Sequence, residues 1–232
     1  MGDSLAGKRI LVVGGSSGIG LAVAKRVYKL GARVVIASRS AFERHDILAG
    51  AIGEGIETIS FNITSDSETT SLFNSVQQID HLVITVRPDI NAALFQETKV
   101  DNAKEAFESK FWGPYRLIQA ARDHINADGS IIMTSGIAGE KIFKGSSTMC
   151  IINSALETLC RCLAIELAPI RVNLVSPGFV KPKANDIQKY ALQFPIPRLA
   201  SQEEIAQAYV YLMMNRYTTG TTVVIDGGAR LV

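Results

Sequence analysis

The sequence predicts an α/β protein with a three-layer, doubly wound parallel sheet of about seven strands. Short apolar, β-branched runs alternate with amphipathic segments along the chain, a glycine-rich turn follows the first run, and no linker or repeat interrupts the alternation. The chain has 232 residues, of which 47% are hydrophobic, enough for one large core. We therefore expect residues 1–232 to form a single domain.

The first strand and the turn after it carry the strongest signal. The apolar run 9–13 leads into glycines at positions 14, 15, 18 and 20, and a helical pattern over 21–30 ends at Gly31. Such glycines let the backbone approach a pyrophosphate at a helix N-terminus. An ordinary αβ connection is the alternative, but this placement favours a Rossmann-like dinucleotide-binding domain. The residues of the turn predicted to contact the cofactor are Gly14, Ser16, Ser17, Gly18 and Ile19.

The remaining elements follow in order. Strands are predicted at 33–37, 57–61, 81–86, 130–134, 171–175 and 221–225. Helices are predicted to begin near Leu21, Ala41, Asp66, Asn102, Ser146 and Gln202. The alternation predicts parallel strands with helices on both faces. Ligands in such sheets bind beyond the carboxyl ends of the strands, so functional side chains are expected just after strands.

Residues after the second and third strands bear on the choice of nucleotide. An acidic residue after the second strand would bind ribose hydroxyls, whereas Arg39 offers a bidentate cation suited to a 2′-phosphate. NADP(H) is therefore predicted in preference to NAD(H), with a solvated surface arginine as the alternative. Asn62, followed by Ile63, is predicted at the adenine edge, although FNITSD is equally a plain Asx turn with Ser65 or Asp66 starting the next helix.

Composition excludes several classes of partner. The formal net charge is +2, 20% of the residues are charged, and no basic stripe suggests nucleic acid. No run approaches membrane-spanning length, and the start, MGDSLAGKR, lacks the apolar core of a signal peptide, so we expect a cytoplasmic protein that does not bind membranes. The three cysteines lack a zinc-like spacing, and no metal site is predicted.

An ordered set of segments resembles the short-chain dehydrogenase/reductase family over nearly the whole chain. The segments are GGSSGIG, the arginine after the second strand, DHLVIT, GSIIMTSGIAG, NSALETLCRCLAIELAPIRVNLVSPG and VVIDGG. The resemblance implies a nicotinamide cofactor, a small-molecule substrate and a homodimer or homotetramer. Assembly in that family pairs two long helices across a symmetry axis, here roughly 102–124 and 146–168.

The resemblance assigns four catalytic positions, and none carries the usual residue. In the family a Ser holds the substrate oxygen, a Tyr exchanges the proton, a Lys four residues later lowers the pKa of that Tyr, and an Asn on the preceding long helix anchors a water relay. The aligned residues here are Gly136, Met149, Asn153 and Lys110. Met149 and Gly136 offer no side-chain proton, so ordinary alcohol dehydrogenation is not expected.

Three residues remain as catalytic candidates, each with a structural alternative. Lys110 could act in the site, by stabilising a developing anion or by binding the cofactor. Its structural alternative is an ion pair with a carboxylate at the helix surface. Ser135 either orients substrate or satisfies local backbone. Asn153 either binds the nicotinamide ribose or packs in its helix.

The nicotinamide is expected to lie beside the sixth strand. Pro177 has no backbone N–H donor, and Gly178 lets the backbone approach the nicotinamide closely. These residues form a wall beside the nicotinamide, which Val180 extends. Residues 179–200 are the predicted lid over the substrate.

Two functions fit the sequence. The favoured one is an NADP(H)-dependent oxidoreductase with an atypical active site, which transfers hydride to an activated electrophile such as an iminium or imine, a quinone or an activated carbonyl. The alternative is a non-redox NADP(H)-binding protein that acts as a sensor, a partner subunit or a cofactor-assisted cyclase.

Overall fold

Seven parallel strands form one sheet in the computed structural model, which describes residues 4–232. The strands are β1 (Arg9–Val13), β2 (Arg33–Ser38), β3 (Glu57–Ser60), β4 (Ile79–Ile84), β5 (Ile125–Thr134), β6 (Arg171–Pro177) and β7 (Thr222–Ile225). Their spatial order is β3-β2-β1-β4-β5-β6-β7. The predicted fold class is confirmed, and the strand order reverses between β1 and β4, where such sheets bind ligands.

Helices cover both faces of this sheet. They are α1 (Gly18–Lys29), α2 (His45–Ile52), α3 (Asp66–Ser75), α4 (Val100–Phe107), α5 (Gly113–Ala121), α6 (Ser147–Glu166), α7 (Asn185–Tyr190) and α8 (Gln202–Met214). Successive residues of a strand point to opposite faces. In β1, Ile10 and Val12 accordingly pack into one core with α1 and α8, whereas Leu11 and Val13 pack into the other with α3, α5 and α6.

Some element boundaries differ from the prediction. The first helix begins at Gly18 instead of near Leu21, and the second begins at His45 instead of near Ala41, after a series of turns. The long helix predicted over 102–124 is wrong as a continuous element, because a π-helical turn, Glu108–Trp112, separates α4 from α5. Pro114 lacks the N–H that would continue an α-helical ladder through this point.

Gly113 lies where this helix contacts the loop after β3. A Cβ on Gly113 would lie 2.9 Å from the carbonyl oxygen of Ile63, so only glycine lets this helix approach the loop after β3 so closely.

Helix α6 corrects the expectation that no segment approaches membrane-spanning length. By length and composition alone, its 20 residues would suffice to cross a membrane. Its apolar character has a simpler cause, because Ile152, Leu156 and Cys160 are buried in the core against the sheet. The opposite side leaves Ile151 and Ile165 exposed.

Candidate functional site

The glycine-rich turn lies at the carboxyl end of β1, beside the reversal of strand order. Gly14 and Gly18 have φ values of 81° and 55°, in the left-handed region that favours glycine. A Cβ on Gly20 would overlap the carbonyl oxygen of Gly14 and the hydroxyl of Thr85. The sequence analysis did not identify Thr85, whose hydroxyl donates to the Val13 carbonyl at 3.0 Å and joins the turn to β4.

The beginning of α1 leaves donors available for an anion. Ser17 is the N-cap residue, but its exposed side chain makes no capping hydrogen bond, and the first turn has no acidic residue. A Cβ on Gly18 would meet no atom within 4 Å, so space lies open in front of the turn. Unpaired N–H groups at a helix N-terminus bind phosphate, and these residues therefore fit a dinucleotide diphosphate. Ser16 is buried beneath the turn and Ile19 is half-buried.

Two arginines follow β2. Arg39 is exposed and forms no ion pair within residues 4–232. Arg44 is half-buried, and its Nη1 donates to the carbonyl oxygen of Ser16 at 3.3 Å. The Ser38 hydroxyl, at the end of β2, is buried without a hydrogen-bond partner. Arg44 was missed because its segment was predicted to be helical from Ala41.

Asn62 forms the Asx turn that the sequence offered as an alternative. Its Oδ1 accepts hydrogen bonds from the backbone N–H of Thr64 at 3.2 Å and from the hydroxyl of Thr64 at 3.0 Å. Ser65 caps α3 by accepting from the Glu68 N–H at 3.2 Å. Ile63 is buried, and its side chain packs where α5 begins.

The end of β5 faces α6 through a close contact. A Cβ on Gly136 would lie 3.2 Å from Nδ2 of Asn153, whose own Oδ1 is buried without a hydrogen-bond partner among residues 4–232. The hydroxyl of Ser135 donates to Oε1 of Glu157 at 3.3 Å, and burial raises the pKa of Glu157. Thr134 is occupied elsewhere, because its hydroxyl lies 2.7 Å from the Ile84 carbonyl oxygen.

Lys110 reaches the same strand end from the π-helical turn. Its side chain is buried, and Nζ donates to the carbonyl oxygen of Ser135 at 3.3 Å. Burial, and secondarily the charge of Arg87, lowers the pKa of Lys110 to about 8. The alternative of a surface ion pair is wrong: no carboxylate in the described part of the chain lies within ion-pairing distance of its ammonium. Single π-turns in α-helices are frequent at functional sites.

Met149 borders a small cavity at the start of α6. The cavity has a volume of about 190 Å³, and the segment after β4 forms its opposite wall. The two walls are joined by a hydrogen bond of 2.9 Å from the Ala93 N–H to the Gly145 carbonyl. The residues that line the cavity include Ile90, Asn91, Thr98, Ser147, Thr148 and Met149.

The wall predicted beyond β6 contains a glycine that packing within the chain requires, and its place beside the nicotinamide stays a prediction. A Cβ on Gly178 would lie 2.8 Å from the Cα of Asp226, which makes glycine necessary immediately after Pro177. Val180 pairs with Ala200 in an isolated parallel bridge, which closes the base of the predicted lid. Segment 179–200 includes α7, a helix absent from the predicted elements, and packs through aromatic contacts of Phe179, Tyr190 and Phe194.

The structure therefore brings together only part of the predicted site. Lys110, Ser135, Gly136 and Asn153 meet at the end of β5. Arg39 follows β2 and Asn62 follows β3. These two strands stand at one end of the strand order, and β6, which ends at Pro177, stands near the other end. Such a separation suits an extended dinucleotide that crosses the switch point.

Comparison with known proteins gives full-length matches. A family model described as enoyl-(acyl carrier protein) reductase matches residues 13–230. The short-chain dehydrogenase/reductase fsr5 of Gibberella fujikuroi is 30% identical, over 99% of this chain and 97% of its own. L-xylulose reductase of Bos taurus is 32% identical, with 97% of each chain covered.

A solved structure agrees with these matches. A small-chain dehydrogenase crystallised in complex with NADPH has a TM-score of 0.86 and 30% identity, over 97% of this chain and 100% of that chain. The chain described here therefore belongs to the short-chain dehydrogenase/reductase family of NAD(P)H-dependent oxidoreductases.

Proposed function

We propose that this protein is an NADP(H)-dependent oxidoreductase with an atypical active site, which reduces an activated small-molecule electrophile. The observation that carries the proposal is the burial of the Lys110 ammonium at the end of β5, close to Gly136 and Asn153 and at the same edge of the sheet as an intact glycine turn. An imine or iminium, a quinone or an activated carbonyl is the substrate class that demands least from the residues present.

The cofactor preference rests on the residues after β2. Exposed Arg39 and half-buried Arg44 offer two guanidinium groups near the glycine turn, and Arg44 contacts the Ser16 carbonyl. Guanidinium groups match the bidentate geometry of a phosphate, so we expect them to bind the 2′-phosphate of NADP(H). One solved relative, the small-chain dehydrogenase compared above, is a complex with NADPH. Bound NADPH would supply the hydride.

Lys110 is the proton donor that this site offers. Met149 has no exchangeable proton, and Gly136 has no side chain. The Lys110 ammonium has a pKa of about 8, close to neutrality, which is the range in which a general acid works efficiently. We propose that Nζ holds the proton that reaches the substrate as negative charge develops there. Asn153 presents a buried, unpaired Oδ1, which suits a bond to a nicotinamide ribose hydroxyl.

The non-redox alternative is favoured by a different observation. The positions that the family reserves for Ser and Tyr hold Gly136 and Met149, so a bound nucleotide would meet an apolar surface there. A sensor, a partner subunit or a cofactor-assisted cyclase would bind NADP(H) without oxidising it.

Exposed apolar side chains support a homodimer or homotetramer. Trp112, Tyr115, Ile151 and Ile165 are exposed on the segments after α4 and on α6. A groove of about 460 Å³ follows α4 beside Trp112. We propose that a second copy of the chain covers these surfaces, because large apolar patches on monomers usually mark interfaces.

Nucleotide binding is the first test. The purified protein should be titrated with NADPH and, separately, with NADH while nicotinamide fluorescence is followed. We expect tight binding of NADPH that weakens selectively in Arg39→Ala. NADPH oxidation by a quinone or a cyclic imine would then separate the oxidoreductase from the non-redox alternative, and absence of binding by either nucleotide would contradict both.

A further inference from the structure

Three cations stand at the carboxyl ends of three neighbouring strands. Arg87 follows β4, Lys110 lies against the end of β5, and Lys183 follows β6, and these strands are adjacent in the sheet. Arg87 is exposed, Lys183 is half-buried and Lys110 is buried. None of the three side chains forms an ion pair within residues 4–232.

Arg87 lies close enough to each of the two lysines for its charge to act on them. Burial lowers the pKa of both Lys110 and Lys183, and the charge of Arg87 lowers each further. No carboxylate of residues 4–232 lies within ion-pairing distance of either lysine. The carboxylate of Glu157 accepts a hydrogen bond from the Ser135 hydroxyl instead. The described part of the chain therefore gathers positive charge at this edge without supplying a counterion.

Such an arrangement is costly unless an anion completes it. Like charges that are partly withdrawn from water disfavour one another, and an anion placed among them relieves that repulsion. Arg87 has five N–H donors, and each lysine has three, with one Lys110 donor already used on the Ser135 carbonyl. Several donors therefore remain to bind carboxylate oxygens.

We propose that Arg87 and Lys183 bind a carboxylate group of the substrate, beside the Lys110 ammonium that holds the proton for the reacting centre. The assignment to a substrate rests on the proposed function; the anion site itself rests only on the three cations. The substrate would be a small organic acid with an imine or activated carbonyl.

The diphosphate of the cofactor is the other source of negative charge. The turn at Gly18, the open space before it and the N-terminus of α1 already provide a phosphate site at the end of β1. The three cations lie at the carboxyl ends of β4, β5 and β6 instead. We therefore assign them to the substrate.

Calorimetric titration of the NADPH-saturated protein with malonate tests this assignment. We expect saturable malonate binding, affinity about tenfold lower in Arg87→Ala and in Lys183→Ala, and no binding of the uncharged analogue malonamide. Lys189→Ala is the matched control, because it removes the same charge from an exposed position on α7 and should leave malonate affinity unchanged. Unchanged thermal melting would show that the variants remain folded.

Two results would overturn the inference. One is the absence of saturable malonate binding, or equal affinity in Arg87→Ala and the parent protein. The other is malonate binding to the free protein that NADPH abolishes, with NADPH affinity reduced about tenfold in Arg87→Ala, since this would assign the cations to the cofactor diphosphate. Failure of the parent protein to bind NADPH would contradict the proposed function, and malonate binding to that nucleotide-free protein would still support the anion site.

Discussion

Gly136 and Asn153 share one small volume at the end of β5. A Cβ on Gly136 would lie 3.2 Å from the Asn153 Nδ2, closer than most side-chain contacts, and the Asn153 Oδ1 is buried with no hydrogen-bond partner in the described part of the chain. Any larger residue at position 136 therefore requires the residue at 153 to move. The two positions are coupled, and they correspond to the Ser and the Lys in the family resemblance.

This coupling predicts how an ordinary active site could be rebuilt. In Gly136→Ser combined with Met149→Tyr and Asn153→Lys, we expect NADPH-dependent reduction of a simple ketone to rise by about 100-fold or more, because a general acid is restored. The assay follows NADPH oxidation at 340 nm. The ketone is present at about 1 mM, the upper end of the usual range of KM values. Gly136→Ser alone should show no gain, and the absence of a gain in the triple variant would indicate a reshaped pocket.

Arg44 predicts a second determinant of nucleotide choice. In Arg44→Ala, we expect NADPH to bind about tenfold more weakly and NADH affinity to stay within about twofold, because only NADPH carries the 2′-phosphate. Fluorescence titration measures both. Arg33→Ala is the control, since Arg33 is exposed at the opposite end of β2. Equal weakening of both nucleotides would show that Arg44 supports the Ser16 turn rather than the phosphate.

Gly20 is expected to be a steric requirement of the glycine-rich turn after β1. In Gly20→Ala, the new methyl would overlap the Gly14 carbonyl oxygen and the Thr85 hydroxyl, so we expect a loss of about 1–3 kcal/mol in the free energy of unfolding and weaker NADPH binding. Urea denaturation and fluorescence titration measure the two effects. Gly50→Ala lies inside α2 with no atom within 4 Å of the new Cβ, and it should stabilise the protein by up to about 1 kcal/mol.

The pattern of apolar residues was sufficient to predict the sheet. Residues 9–13 and 33–37 were predicted as strands because alternating and buried β-branched runs have few other stable arrangements, and β1 and β2 are found there. The turn after β1 could also be predicted from the sequence. Its glycines adopt positive φ angles or make close contacts that other residues do not tolerate.

The contacts within the site could not be read in this way. The burial of Lys110 depends on the π-helical turn before Pro114, which rotates the helix, and local sequence gives no periodic signal for one extra residue in a turn. Arg44 reaches Ser16 across 28 positions, and Arg87 and Lys183 lie at the same edge of the sheet only because β4 and β6 flank β5. These are tertiary relationships between residues far apart in the chain.

His81 predicts acid sensitivity of the fold. It is buried against Ser130, with Nδ1 and Oγ 2.9 Å apart, and burial lowers the pKa of His81 from 6.5 to about 4. Between these values the unfolded chain binds the proton and the folded chain does not. We therefore expect the free energy of unfolding to fall by up to about 3 kcal/mol as pH drops from 6.5 to 4.

Urea denaturation across this range measures the His81 contribution. The variant His81→Gln removes the titrating group and should lack that part of the decline, whereas His45→Gln, at an exposed position, should retain it. Identical pH dependence in His81→Gln and the parent protein would contradict the assignment.

Lys110 predicts opposite effects of pH on rate and on stability. Reduction of a quinone by NADPH should be constant below pH 8 and should decline above it, because the ammonium with a pKa of about 8 donates the proton. Lys110→Met should be about 100-fold slower and should lack this decline. Stability should instead rise between pH 8 and 10.5, where the folded chain loses the proton before the unfolded chain does. At pH 7, Lys110→Met should therefore unfold at the same or higher urea concentration, which separates loss of a catalytic proton from loss of the fold.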